Sequence, residues 1–252
     1  VMSWLTDAHI HLSDEEYSQD IQFILTSMEK MKIRACCVSM DLQSSENTLE
    51  LGQKSRLVLP FVGMHPEKAA DDLEPLVKLI EKNSKQISGI GEIGLDKTYV
   101  SNQDEFKRQE TVFRTMLLIA EKLNKPVSIH SRATLDEILA ILPSYSISAT
   151  LLHWFAGSKK QLKAAMELGC YASYGPSMIY AQDKQVLLSE TNRDRILVET
   201  DGPVRFSRCF GLKASQITFL PSVVFCASKI LNKTYDDISY EIEQNSKRYL
   251  GV

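Results

Sequence analysis

Residues 7–12 read Asp-Ala-His-Ile-His-Leu, DAHIHL, and hold two of the chain's five histidines in a stretch that otherwise has the character of a buried strand. Residues i and i+2 of a strand point to one face, so His9 and His11 form a pair rather than two isolated imidazoles. A lone histidine is ordinarily a surface residue, or a core residue satisfied by a backbone carbonyl. A same-face pair asks for a shared partner. H-x-H alone arises by accident in many proteins, so the rest of the chain has to supply that partner.

Short apolar runs alternate with longer amphipathic segments along all 252 residues. Strands are expected at 3–9, 35–40, 57–63, 86–91, 126–130, 149–153, 170–174 and 195–200, from short runs rich in β-branched residues bounded by Pro, Asn or Asp. Helices are expected at 15–32, 45–55, 72–84, 104–123, 134–142, 159–168, 182–189 and 214–231, with a final one at 235–250. Phe106, Val112, Phe113, Met116, Leu117 and Ala120 recur at helical spacing and make one apolar stripe, while Glu105 and Lys122 should face water.

Strand–helix alternation points to a parallel sheet, because parallel neighbours need crossover helices. Eight such units in a chain of this length match a (β/α)8 TIM-type barrel; a doubly wound open sheet is the alternative that periodicity leaves open. Polar placement separates the two. His9 and His11 close the first strand, His65 lies just past the third, and Glu92 follows the fourth. His130 ends the fifth, His153 the sixth, and Asp201 follows the eighth. Every histidine therefore falls at or just past a strand's C-terminal end, the active face of a barrel. We expect residues 1–252 to form one such domain.

Composition narrows the class. Hydrophobic residues make up 44% and charged residues 24%, as in an ordinary globular protein. A net charge of −3 argues against a broad basic face gripping duplex nucleic acid. The five cysteines are scattered, without a C-x-x-C pair, and suggest neither a disulfide framework nor a zinc ribbon. No basic-then-apolar leader and no run of membrane-span length is visible, so the expectation is a cytoplasmic protein, monomeric and away from membranes.

Glu92 sits in ISGIGEIGLD, where glycines flank a carboxylate in apolar company. Asp201, in ILVETDGP, follows an apolar strand; taken alone it reads equally as a turn aspartate before Gly202 and Pro203. Glu199, two residues before it, is expected either to anchor the outer layer or to support the site from behind. Imidazole and carboxylate together suit zinc, manganese, cobalt, nickel or magnesium. Six ligands exceed the need of one zinc with an open position. Two metals sharing a bridging carboxylate fit better. Asp7 is expected to orient the site from behind.

In order, DAHIHL, GMHP, GEIGLD, PVSIHSR, LLHWFAGS and VETDGP resemble the motifs of the TatD-type metal-dependent deoxyribonucleases, members of the amidohydrolase-like barrel superfamily. The resemblance runs from about Asp7 to the last helix. It implies a dinuclear centre at the C-terminal face of the strands, with His9, His11 and Asp201 on the first metal, His130 and His153 on the second, and Glu92 bridging. His65 would contact substrate phosphate. The implied activity is phosphodiester hydrolysis, commonly 3′→5′ exonuclease action on DNA, and the near-neutral charge adds a preference for accessible ends or single strands. Some relatives act on aminoacylated RNA esters, and an amidohydrolase on the same barrel is the other alternative.

Two departures fall on substrate-facing loops. The loop VRFSRCFGLKASQITFLP lacks the Arg-Asn-x-Pro element usual in the family, and Lys97 follows GLD where an aromatic residue is typical. On this scheme Asp201 is the expected general base, with Glu92 catalytic beside it. Arg132 and Arg205 are expected on phosphate oxygens, with Arg208 and Lys213 as further candidates. Trp154, Phe155 and Tyr174 are expected to pack rather than stack on bases.

Overall fold

Parallel strands wind in sequence order around a barrel, each followed by a helix on the outside. The computed structural model describes residues 4–252. Its strands are β1 Leu5–Ile10, β2 Ile33–Cys37, β3 Val58–Val62, β4 Gly89–Asp96, β5 Val127–Arg132, β6 Thr150–Leu152, β7 Tyr171–Tyr174 and β8 Ile196–Val198. The helices are α1 Ile21–Met31, α2 Leu42–Lys54, α3 Glu74–Asn83, α4 Gln103–Leu123, α5 Leu135–Ile141, α6 Lys159–Glu167, α7 Gln182–Glu190, α8 Leu220–Ile230 and α9 Tyr235–Leu250. The (β/α)8 expectation holds, and the doubly wound alternative is excluded by the order β1 to β8. The expected start of the first strand at Ser3 lies outside the described residues. Among those residues, no helix is long and apolar enough to cross a membrane.

The seam between β8 and β1 closes the ring. The Asp201 amide donates to His9 O at 3.0 Å, and the His11 amide to Gly202 O at 2.8 Å. Asp7 is fully buried there, accepting from the Thr200 amide at 3.1 Å and the Thr200 hydroxyl at 2.5 Å. Inside the barrel, Ala8, Cys36, Val38, Phe61, Leu151, Tyr171 and Leu197 pack together. Tyr249 of α9 joins them and donates to Val127 O at 2.9 Å, stopping the end opposite the functional mouth. A second, larger apolar layer lies between strands and helices, and the stripe Val112, Phe113, Met116, Leu117 and Ala120 of α4 is buried in it.

Three boundaries differ from expectation for physical reasons. The segment expected as one helix over 15–32 divides into a 3₁₀ turn at Glu15–Tyr17 and then α1. Asp14 caps the turn, and its Tyr17 is buried with its hydroxyl bonded to Ser215 O. The helix expected over 214–231 begins only at Leu220, because Pro221 is tolerated in a first turn but not in a helix interior. β4 runs to Asp96 rather than ending at Gly91, so Glu92 lies within a strand and not after one.

Candidate metal centre

Two β-bulges aim the centre. Asp7 pairs with Ala35 and Ile10 with Cys37, so three steps on β1 span two on β2. Ile90 pairs with Val127 and Ile93 with Ile129, which repeats the irregularity on β4. An extra residue reverses which face the later side chains take. On β1, Ala8 lies in the barrel interior while Ile10 and Leu12 join the outer layer, leaving His9 and His11 to the mouth. On β4, Ile90, Ile93 and Leu95 all join the outer layer, and Glu92 and Asp96 turn inward. Gly94 permits the close passage of β4 and β5: at φ 150° it has backbone few other residues adopt, and a Cβ would stand 2.0 Å from His130 O.

Glu92 divides its two oxygens between two groups of histidines. Oε2 faces Nε2 of His9 at 3.4 Å and Nε2 of His11 at 3.2 Å. Oε1 faces Nδ1 of His130 at 3.0 Å and Nε2 of His153 at 2.9 Å. Asp201 stands on the first side, its Oδ1 3.6 Å from His9 Nε2 and 3.8 Å from His11 Nε2. The His9 and His153 rings stack across the middle with centroids 3.6 Å apart. All six residues expected as ligands therefore meet in one pocket at the barrel's mouth.

Two of the remaining ring nitrogens are hydrogen-bonded from behind, and a third faces a carboxylate. His9 Nδ1 meets Ser128 Oγ at 2.8 Å, and His153 Nδ1 lies 3.7 Å from Glu199, whose other oxygen accepts from Ser173. His130 Nε2 meets Asp96 Oδ2 at 2.7 Å. Asp96 is itself fixed: Oδ1 accepts from the amide and hydroxyl of Thr98, and Gln109 of α4 bonds both its amide and its carbonyl. The sequence reading passed over Asp96 and Gln109. Asp96 was within reach of alternation, since it follows Glu92 and Gly94 at intervals of two; Gln109 gave no signal. Asp7 acts through the main chain, accepting from the His9 amide at 3.2 Å while it braces the seam.

Burial and mutual charge set the titration. Burial drives the imidazole of His9 down to about 4 and that of His65 down to about 4. His11, His130 and His153 are buried too, which opposes protonation, but the carboxylates facing them outweigh it and raise all three. Those carboxylates are Glu92 and Asp201 for His11, Asp96 and Glu92 for His130, and Glu92 and Glu199 for His153. Glu92 is held well below the usual carboxylate range because surrounding histidines overcome its burial. Burial pushes Asp201 up to about 7, with nearby Glu199 adding to the rise.

The donor set fits divalent cations. His9 Nε2 is buried without a hydrogen-bond partner, an expensive state unless another group takes its lone pair. It belongs both to the set His9, His11, Asp201 and to the set His9, Glu92, His153, each with ligand atoms close enough for one ion. His65, Glu92 and His130 form another such set, and His153, Glu199 and Asp201 a fourth. His65 is distinct in one respect. Its Nδ1 accepts from the Glu67 amide at 3.1 Å, so the neutral ring carries its proton on Nε2, which faces Glu92 Oε1 at 3.6 Å.

The residues expected around substrate are spread more widely. Arg132 is exposed at the end of β5. Arg205 is tied down, bonded to Glu16 at 2.7 Å and to Leu212 O at 3.1 Å. Arg208 and Lys213 are exposed in the loop after β8. Phe155 is buried, and so is Tyr174, whose hydroxyl bonds Thr191; Trp154 is half-buried against Phe206. All three aromatics pack, as expected.

Comparisons with known proteins agree with this geometry. The family model described as TatD related DNase matches residues 6–251. The uncharacterized metal-dependent hydrolase YabD of Bacillus subtilis is 26% identical over 255 residues, covering 98% of this chain and 99% of that protein. The human deoxyribonuclease TATDN3 is 27% identical over 213 residues, covering 79% of this chain and 78% of its own. In fold, the crystal structure of the Escherichia coli TatD homologue YjjV superposes with a TM-score of 0.89 at 21% identity, covering 98% of each chain.

Proposed function

The chain belongs to the TatD-related DNase family, a family of metal-dependent hydrolases, and from that premise we propose that it hydrolyses phosphodiester bonds at DNA ends or in single strands, working as one catalytic barrel and as a monomer. The observation that carries the reading is the division of Glu92, one oxygen toward His9 and His11, the other toward His130 and His153. A carboxylate so placed suits two cations on either side of it. His9, His11 and Asp201 would hold the first, and His130 and His153 the second. Zinc, manganese, magnesium, cobalt or nickel all accept such donors.

Bound divalent cations polarise a phosphoryl oxygen and make water a nucleophile near neutral pH. The chain's own groups do the rest. Ser128 Oγ accepts a hydrogen bond from Nδ1–H of His9, and Asp96 from Nε2–H of His130, which leaves the opposite nitrogens free as ligands. The free oxygen of Asp201 accepts the proton released by the attacking water. Nε2–H of His65 donates to a non-bridging phosphate oxygen, a task its fixed tautomer suits better than ligation. Arg132 and Arg205 neutralise charge on the substrate's phosphates, Arg205 at the expense of its contact with Glu16.

The test supplies magnesium, manganese or zinc in turn with end-labelled single-stranded DNA, beside an aminoacyl ester and a cyclic amide. Metal-dependent shortening of the DNA from one end is expected, lost in excess chelator and in Glu92→Ala and Asp201→Ala. Turnover of the ester or the amide in preference to DNA overturns the substrate assignment, and undiminished activity in chelator overturns the metal centre.

A further inference from the structure

A recess of about 480 Å³ opens where the chain leaves β4, β5 and β6, lined among others by Lys97, Arg132, Asp136, Glu137 and Gln161. It is assembled from the chain leaving three supports of the centre. Lys97 follows Asp96, Arg132 comes two residues after His130, and Ala156 and Gly157 of its wall follow closely on His153. These segments place the recess at the same end of the barrel as Glu92. The volume is within the range of small-ligand sites and suits a sugar–phosphate unit.

Its charges are arranged for exchange. Lys97 is paired with Glu137 across the rim, both partly exposed. Asp136 accepts from Gln161 Nε2 at 2.9 Å. Arg132 makes no ion pair with any carboxylate among the described residues, although it lines the same wall. An exposed Lys–Glu pair contributes little and is readily broken. An entering anion would meet the guanidinium of Arg132, which matches phosphate in a bidentate way, and could draw the Lys97 ammonium from Glu137.

Resting on the phosphodiesterase reading, we propose that this recess is a subsite for a second phosphate of the substrate, one nucleotide from the bond cleaved, held by Arg132 and Lys97, with Glu137 as the resident carboxylate that the phosphate displaces. Lys97 then sets specificity: it favours substrates with a phosphate beyond the reacting one over those ending in a bare hydroxyl.

Thymidine 3′,5′-bisphosphate and thymidine 5′-phosphate, titrated calorimetrically into the manganese-loaded protein, test this without turnover. The bisphosphate should bind more tightly, by about five- to tenfold for one added charge-assisted contact. Lys97→Met should remove most of that ratio, and Glu137→Gln should enlarge it by freeing Lys97. The opposed signs matter, since a merely structural pair would suffer alike from either substitution. Equal affinity for both nucleotides, or a ratio that moves the same way in both variants, overturns the subsite. Loss of DNA hydrolysis in the wild type with the ratio intact would instead sink the phosphodiesterase reading alone.

Discussion

Asp96 holds His130 by its Nε2 at 2.7 Å, which turns Nδ1 of the same ring toward Glu92. A carboxylate behind a ligating imidazole fixes its tautomer and raises its basicity, and removing such a partner typically costs about 10- to 100-fold in metal affinity. On the proposed two-metal reading, Asp96→Asn should therefore weaken the site that His130 serves by about that factor and leave the other near its original strength. Competition against a chelating dye reads the two affinities separately. Unchanged affinity at both sites would show that Asp96 only caps the turn containing Thr98.

Glu92 raises the imidazoles of His11, His130 and His153 by its charge. In the metal-free protein, Glu92→Gln should lower the titration midpoints of all three, as followed by imidazole NMR. The sign is fixed by burial, which remains and favours the neutral rings once the carboxylate is gone. Midpoints that stay or rise would place the dominant charge elsewhere.

Metal uptake should release protons and strengthen as pH rises. His11, His130 and His153 are raised above the ordinary histidine value of 6.5, so part of each population is protonated near neutrality and must lose its proton to ligate. Affinity should fall as pH drops through the raised midpoints. His9, already lowered to about 4, adds to the loss only at stronger acidity. Calorimetry in buffers of differing ionisation enthalpy counts the protons; none released at pH 7 would contradict the assignment.

Gly202 has no room for a side chain. A Cβ there would stand 1.9 Å from the Tyr17 hydroxyl and 2.5 Å from Ser215 O. Gly202→Ala should destabilise the protein by about 1–3 kcal/mol, the usual cost of overpacking, seen as a lower Tm. Because one of the two clashes is with a hydroxyl, Tyr17→Phe in the same chain should make the double variant less unstable than the sum of the singles. Strict additivity would mean that the clash with Ser215 O is the whole effect.

The sequence by itself determined the alternation of strands and helices, because burial on both faces of a parallel strand and on one face of a helix leaves different periods in the residues, and the polar residues at the strand ends pointed from that alternation to the barrel. It also determined which side chains matter: His9, His11, Glu92, His130, His153 and Asp201 are costly to bury without a shared partner, and all were legible at strand ends. What only the tertiary structure decided is how they are aimed. Strict alternation puts Leu5 on the same face as His9, and Ile90 on the same face as Glu92, yet in each pair one lies in the outer layer and the other in the mouth. The reversal comes from one extra residue in each of β1 and β4, a mismatch of pairing with β2 and β5 that no single strand records. Likewise Gln109 lies on a different element from Asp96, 13 residues on in the chain, and Thr200 lies at the other end of the chain from Asp7. They become supports of the site only when the ring closes and α4 packs on β4.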